Sequence, residues 1–188
     1  MIRYLFNQSL LSFKNRYDYD ISYMQDILQH DLSAFLKFIG LQMMSNHSAG
    51  LAAEPIFAAR LQAILWDDCG PCTQLIVNLA LEAKVESHIV RAIVAGDLDT
   101  LPEPTALVVR FTRLVLAHDP EADGLREQII HRWGRKGLIA IGYAISSSRV
   151  YPALKYTLGY GNACSCIQVQ ETQIVPNITT VKTATPIK

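Results

Sequence analysis

Two cysteines, Cys69 and Cys72, have the residue type and spacing that could do the most specific chemistry in this sequence. They lie in the segment 66–72, WDDCGPC, where one predicted helix ends and the next begins. At a helix start, the unpaired N–H groups and the helix dipole stabilise a thiolate. A spacing of three residues lets the second sulfur resolve a mixed disulfide or a sulfenic acid formed at the first. The segment therefore predicts a redox-active dithiol.

The neighbours of the cysteines act on them in different ways. Pro71 fits the first turn of the helix and stiffens the loop. Asp67 and Asp68 can accept or relay a proton, but their negative charge raises the pKa of a nearby thiol. The sequence leaves open which cysteine attacks a substrate.

Two other interpretations of the cysteines stay open. The pair could be inert thiols buried in a core. It could also be half of a tetrahedral zinc site completed by Cys164 and Cys166, although the long separation and the lack of a zinc-ribbon turn pattern disfavour this. Cys164 and Cys166 could themselves form a second redox pair, but we favour small packing residues, because free cysteine is so often buried. We expect neither a resident metal nor a cofactor.

The composition of the chain limits the classes of protein to which it can belong. Of its 188 residues, 50% are hydrophobic and 18% are charged, with 17 Lys and Arg against 17 Asp and Glu. A chain this long can bury one sizeable core, and a chain this apolar is not intrinsically disordered. Zero net charge provides no field that attracts nucleic acid, and it favours self-association. We therefore expect a homo-oligomer that binds no nucleic acid.

The sequence predicts neither a membrane span nor a secretion signal. A spanning helix needs about 20 mostly apolar residues. The longest charge-free runs, 38–53 and 156–170, both contain Gln, Ser and Asn. The N-terminal segment lacks the sustained apolar stretch and the small-residue cleavage site of a signal peptide. We expect a cytoplasmic protein.

Apolar residues recur at helical spacing along most of the chain. One stripe runs from Ile21 to Ile39 in steps of three and four. Further helices are predicted over about 54–66, 69–80, 87–95, 107–115, 122–133 and 138–148, with a kink or restart at Pro152. The strand signals that a parallel sheet needs are missing, so the predicted fold class is all-α. We divide the chain into an irregular N-terminal arm (1–20), a helical domain (21–166) and an extended C-terminal tail (167–188).

The tetrapeptide CGPC is also the active-site motif of thioredoxins. Thioredoxin-like domains place it after a β-strand within a βαβ unit. Here an Ala/Leu-rich helix precedes it. The sequence therefore predicts the shared dithiol chemistry on a different fold.

A helix that ends at a CxxC, which itself begins the next helix, resembles the carboxymuconolactone decarboxylase family, in particular its AhpD-like alkylhydroperoxidase branch. The resemblance covers about residues 50–166. It includes NLALEAKVESHIVRAIVAGDLDTLPEPTALVVRFTRLVLAH, which is similar to the family's helices after the cysteines, and RWGRKGLIAIGYAISSSRVYPALKYTLGYG, which is similar to its C-terminal part. The resemblance implies an AhpD-like helical domain and a homo-oligomer, commonly a trimer or hexamer, with a dimer as a further option.

The resemblance also implies a function for the dithiol. AhpD-like proteins reduce peroxides, or the disulfide of a partner peroxiredoxin, through the pair that corresponds to Cys69 and Cys72. The leading hypothesis is therefore a thiol-dependent peroxidase or disulfide reductase. The alternatives are a non-catalytic scaffold or small-molecule-binding member of the family, and a decarboxylase-type lyase, for which the sequence shows no catalytic set.

The proton relay of the family is absent at its usual spacing. The family motif has a Glu about twelve residues before the first cysteine and a His four residues after the second. This sequence has Phe57 and Ile76 at those positions. Glu54, nearly one helical turn before Phe57, could substitute, as could Asp67 or Asp68. The candidate catalytic residues are Cys69, Cys72, Glu54 and Asp68.

Overall fold

The computed structural model describes residues 1–161 and 166–176, which form eight helices and one two-stranded hairpin. The helices are α1 (Ile2–Tyr17), α2 (Ser22–His30), α3 (Leu32–Ser45), α4 (Ala53–Trp66), α5 (Gly70–Glu82), α6 (Ser87–Ala95), α7 (Glu103–Leu116) and α8 (Ala122–Thr157). The strands β1 (Ile167–Val169) and β2 (Thr172–Ile174) pair antiparallel, with Ile167 opposite Ile174. The predicted all-α class is confirmed.

Helix α4 is the centre of the larger of two hydrophobic cores. Ten of its 14 residues are buried, on all sides of the helix. A helix that is apolar all round is enclosed by other elements rather than laid on a surface. Its residues Ala58, Ala59 and Ala63 are fully inaccessible, and their small side chains let neighbouring helices approach closely. Helices α5 to α8 and strand β1 complete this core.

The N-terminal segment forms the second core. Tyr19, Tyr23 and Phe35 are among its buried residues. Leu75 of α5 and Leu154 of α8 pack against it from the larger core. The first three helices therefore cover one side of the helix that begins at the dithiol.

The prediction of an irregular arm over residues 1–20 is wrong, because residues 2–17 form helix α1. The apolar residues Phe6, Leu10, Phe13 and Tyr17 are spaced by four, three and four, which places them on one face of a helix. That face packs against the second core. The aromatic content of the segment hides this helical period, since aromatic residues have only moderate helix propensity.

The stripe from Ile21 to Ile39 forms two helices rather than one. The break is at Asp31, whose extended backbone begins α3 and whose side chain accepts a hydrogen bond from the Ala34 N–H (3.0 Å). An aspartate side chain at the start of a helix accepts a hydrogen bond from a backbone N–H group that has no acceptor within the helix. The apolar spacing continues across the break, which is why periodicity alone does not reveal it.

Helix α8 is interrupted at Gly134, between the two predicted segments 122–133 and 138–148. The backbone of Gly134 has φ 69° and ψ 179°, a region that is essentially restricted to glycine. The helix then continues through Pro152 to Thr157. The predicted break between these two segments is therefore present, and glycine is the residue that makes it possible.

We expect Gly134→Ala to lower the free energy of unfolding by about 1 kcal/mol, because the strain of a positive φ outweighs the gain in helix propensity. Gly142→Ala is the matched control. An added Cβ would meet no atom within 4 Å at either position, but Gly142 has ordinary helical backbone. The control should be neutral or gain up to about 1 kcal/mol. Equal urea midpoints for the two variants would contradict this explanation.

Residues 167–174 of the C-terminal tail form the β1–β2 hairpin, with a turn at residues 170–171, and residues 177–188 lie outside the described part of the chain. Ile167 and Val169 are buried in the larger core. The Gln74 side chain donates to the Gln168 carbonyl and accepts from the Gln168 N–H, both at 2.8 Å. These bonds attach the hairpin to α5, the helix that begins at the dithiol.

The lengths and compositions of the helices bear on whether any of them could cross a membrane. Helix α8 is the longest at 36 residues, and charged residues occur along much of its length. Among the described helices, none combines the length and the apolar composition that crossing a bilayer requires.

Candidate functional site

Cys69 and Cys72 are joined by a disulfide bond at the start of α5, with their Cα atoms 5.3 Å apart. Cys69 caps the helix and Pro71 lies in its first turn, as the sequence predicts. The N–H and the hydroxyl of Thr73 both donate to the Cys69 carbonyl, at 2.8 and 3.0 Å, which fixes this turn. The predicted dithiol pair is therefore present as two sulfurs within bonding reach, an arrangement that supports thiol–disulfide exchange.

The two cysteines differ in what they face. The exposed fractions of Cys69 and Cys72 are 0% and 2%. Cys72 lies on the wall of a cavity of about 360 Å³, whereas Cys69 is not among the residues that line it. A small molecule in the cavity would therefore meet the sulfur of Cys72 first.

This cavity lies between the two hydrophobic cores. Tyr19 and Tyr23 line it from the N-terminal segment, and Phe57 and Ile76 line it from α4 and α5. Most of the other lining residues are aromatic or aliphatic. A wall of this kind, with a few polar groups, is typical of small-molecule sites.

The hydroxyl of Tyr19 lies 3.9 Å from the Cys72 sulfur, within the longer reach of a hydrogen bond to sulfur. Burial raises the pKa of Tyr19 to about 12. The phenol therefore keeps its proton near neutral pH and can donate it in a hydrogen bond to a Cys72 thiolate. Such a donor stabilises the reactive form of the cysteine.

Lys155 contacts the rings of the same tyrosines. Its side chain is fully buried, and its ammonium has no hydrogen-bond partner among residues 1–161 and 166–176. The Nζ atom lies 4.7 Å from the centre of the Tyr19 ring and 5.3 Å from that of Tyr23. Cation–π attraction thus compensates part of the lost hydration. Burial lowers the pKa of Lys155, and the charge of Asp20 opposes this shift.

Asp67 is held by Arg149 rather than by the cysteines. The Arg149 Nε and Nη2 atoms donate to the two carboxylate oxygens at 3.0 and 2.9 Å. This hydrogen-bonded pairing raises the pKa of Arg149. The pair offsets the negative charge that would otherwise oppose a thiolate at the helix start.

The structure does not bring Glu54 and Asp68 to the cavity wall beside Cys72. Glu54 lies in the first turn of α4, and Asp68 has a left-handed backbone (φ 52°) in the turn before Cys69. The Asp68 carbonyl accepts a hydrogen bond from the Tyr156 hydroxyl at 2.8 Å. Neither Glu54 nor Asp68 is among the residues that line the cavity.

Sequence reasoning missed the polar residues of the cavity wall and the lysine that contacts them. Tyr19, Tyr23 and Arg60 line the cavity, and Lys155 lies over the Tyr19 ring. The spacing of four between the two tyrosines was the only local signal, because it is compatible with one face of a turn or helix. Because these residues come from three distant parts of the chain, their convergence depends on tertiary packing.

Cys164 and Cys166 are the other two cysteines of the zinc alternative. Cys166 is exposed, so the prediction that it is a packing residue is wrong. Cys164 lies outside the described residues. Within residues 1–161 and 166–176, no group of three or more His, Cys, Asp or Glu side chains could hold a metal ion.

Comparison of the chain with models of protein families, with curated proteins and with solved structures finds no match of any of the three kinds. Its function is therefore inferred from the chemistry of the disulfide and the cavity.

Proposed function

We propose that the protein is a thiol-dependent oxidoreductase that reduces a hydroperoxide or a disulfide by cycling Cys69 and Cys72 between dithiol and disulfide. The observation that carries this proposal is the disulfide at a helix start with one sulfur on the wall of an apolar cavity. The resemblance to the AhpD-like branch adds support. Phe57 and Ile76, which stand at that family's relay positions, both face the same cavity.

In the peroxidase cycle, the Cys72 thiolate attacks the terminal oxygen of ROOH. The O–O bond breaks, leaving a sulfenic acid on Cys72, and RO⁻ takes up a proton to become ROH. The Cys69 thiolate then attacks the Cys72 sulfur, and the departing hydroxide becomes water on protonation. An external dithiol reduces the resulting disulfide by two exchange steps and is itself oxidised.

The burial of both sulfurs favours a small substrate over a protein disulfide. Cys72 is only 2% exposed and the helices of the second core cover it. A partner protein such as a peroxiredoxin would have to displace them before reaching the sulfur. A small hydroperoxide or small disulfide needs only to enter the cavity.

The test is consumption of cumene hydroperoxide with dithiothreitol as the reductant, followed above the uncatalysed rate. We expect repeated turnovers per protein molecule. A protein that is fully reduced, yet consumes neither the hydroperoxide nor a small disulfide, would contradict the proposal. That result would favour the alternative of a non-catalytic binding protein, which is consistent with the positions of Glu54 and Asp68 away from the cavity wall.

We expect Tyr19→Phe to slow alkylation of Cys72 about tenfold near neutral pH and to move the pH midpoint of alkylation upward. A hydrogen bond to a charged group contributes about 1.5–3 kcal/mol, and each 1.36 kcal/mol is about one pH unit. The rate is measured with iodoacetamide in the Cys69→Ser background.

Tyr17→Phe is the matched control, because the Tyr17 hydroxyl donates to Glu82 (2.6 Å) outside the cavity. This control should leave the alkylation rate unchanged. Equal rates in the Tyr19 and Tyr17 variants would show that Tyr19 does not stabilise the thiolate.

We also propose that the protein assembles as a homo-oligomer, a trimer or hexamer as the resemblance implies. Leu36 and Met43 of α3 are exposed seven residues apart on one helix face, and Ile139 and Tyr143 of α8 are exposed four residues apart. Helices α3 and α8 pack side by side. Sedimentation velocity gives the number of subunits, and a monomer at micromolar concentration would contradict this assembly.

A further inference from the structure

Arg60 is a cation on the wall of the same cavity as Cys72. Its Nε atom is inaccessible to solvent and forms no hydrogen bond with the described residues. Tyr23 also lines the cavity, but its side chain is 0% exposed and its hydroxyl is hydrogen-bonded to that of Tyr19. A buried donor without an acceptor is costly, so an acceptor that reaches the guanidinium from the cavity would stabilise it.

The charge of Arg60 is also uncompensated. Its Nη2 atom donates to the Ser45 carbonyl, and the guanidinium carbon lies 4.9 Å from the centre of the Phe57 ring. No aspartate or glutamate is among the described residues that line the cavity. Burial lowers the pKa of Arg60, as expected for a cation without a counter-ion. An anionic group in the cavity would supply that counter-ion.

The rest of the site is suited to an apolar chain. A second cavity of about 230 Å³ shares Phe13, Met24, Gln42 and Tyr151 with the first. Its remaining walls are mostly apolar, with Phe6, Phe35 and Phe38 among them. The two spaces therefore adjoin, with the arginine in one and an apolar lining in the other.

We propose that this site binds an apolar monocarboxylate, with the carboxylate on Arg60 and the hydrocarbon body directed toward the second cavity. A guanidinium is suited to a carboxylate because several of its N–H groups donate to the carboxylate oxygens in a charge-assisted pair. The substrate assignment rests on the proposed function. The substrate is then a carboxylic acid that carries a hydroperoxide or a disulfide group, which would lie near Cys72. In the cycle described above, R then carries the carboxylate.

The probe is octanoate, with 1-octanol as the neutral chain of equal length, added to the full-length oxidised protein and followed by calorimetry. We expect octanoate to bind at least tenfold more tightly than octanol. Arg60→Gln should weaken octanoate at least tenfold and leave octanol unchanged, and Arg60→Lys should restore part of the difference. Equal octanoate affinity in wild type and in Arg60→Gln would overturn the proposal, as would no preference for octanoate over octanol.

Arg113→Gln is the matched control. Arg113 also has a buried nitrogen without a partner in the described part of the chain, but it does not line the cavity. This variant should bind octanoate like the wild type, and an equal loss in both arginine variants would overturn the site. Octanoate is not reduced, so its binding is independent of the redox chemistry. If octanoate binding depends on Arg60 but no hydroperoxide is consumed, only the redox function is contradicted. Turnover without Arg60-dependent binding would contradict only this site.

Discussion

Replacing Cys72 with serine is expected to abolish dithiol-dependent reduction of hydroperoxides and to leave a protein whose Cys69 forms no adduct with a small disulfide. The reason is the asymmetry of the pair, since Cys72 lines the cavity and Cys69 is enclosed. Cys69→Ser should slow turnover strongly, because only the external dithiol then remains to resolve the intermediate. In the absence of that dithiol, its Cys72 should react once and retain the adduct.

The measurement is turnover with dithiothreitol, together with the mass of each variant after exposure to a small aromatic disulfide. Cys69→Ser should gain one adduct at Cys72, whereas Cys72→Ser should gain none at Cys69. Cys166→Ser is the control, because Cys166 is exposed and outside the cavity. To exclude labelling of Cys164 and Cys166, both are replaced in a parallel set. Adducts at Cys69 rather than Cys72 would reverse the assignment of the attacking cysteine.

The parts of the site that were predicted correctly depend on local signals. The CxxC spacing, the proline in the first turn and the helix start all lie within the segment 66–72, and helix start signals act over one turn. The all-α class also follows from local apolar spacing. For these features, neighbours in sequence are neighbours in space, so one sequence is enough.

The parts that were missed depend on contacts between distant segments. Tyr19 lies 53 positions from Cys72 in sequence, yet its hydroxyl is the polar group seen beside that sulfur. The cavity forms only because the N-terminal helices cover α4 and α5. Since residues 1–20 were assigned as an irregular arm, the cavity could not be predicted. Glu54 and Asp68 were chosen by closeness in sequence, which does not determine whether a side chain reaches the cavity.

Lys155→Met is expected to raise the free energy of unfolding by about 2 kcal/mol at pH 7. A buried ammonium without hydrogen bonds loses several kcal/mol of hydration, and cation–π attraction to two rings returns about 1–2 kcal/mol of it. Methionine fills the same space and contacts the same rings without that loss. Lys37→Met is the control, since Lys37 is exposed, and it should change stability little. Urea unfolding of the two variants gives the comparison.

The pH dependence of the free energy of unfolding tests whether burial of the Lys155 charge is the cause. Because burial lowers the pKa of Lys155 below its usual 10.5, the unfolded chain binds more protons between the folded and unfolded pKa values. Wild-type stability should therefore gain from this group as pH rises toward 10, and Lys155→Met should lack that gain. The measurements stop below pH 10, where the tyrosines of the unfolded chain begin to ionise. Burial raises the pKa of Tyr19 and Tyr23 in the folded protein, so above that pH the ionised unfolded chain is favoured and stability falls. Asp20, which accepts two hydrogen bonds from Ser22, stays charged throughout this range.

A higher free energy of unfolding in Lys155→Met would mean that the wild-type lysine destabilises the fold. Its position beside Tyr19 gives it a role in the site instead. The ammonium lies over the ring of Tyr19, where its charge withdraws electron density from the phenol and makes the hydroxyl a stronger donor to Cys72. Lys155→Met should therefore stabilise the fold and at the same time slow alkylation of Cys72, whereas Lys37→Met should do neither. Buried charges that reduce stability are characteristic of functional sites. Faster or unchanged alkylation in Lys155→Met would show that the lysine does not act through Tyr19.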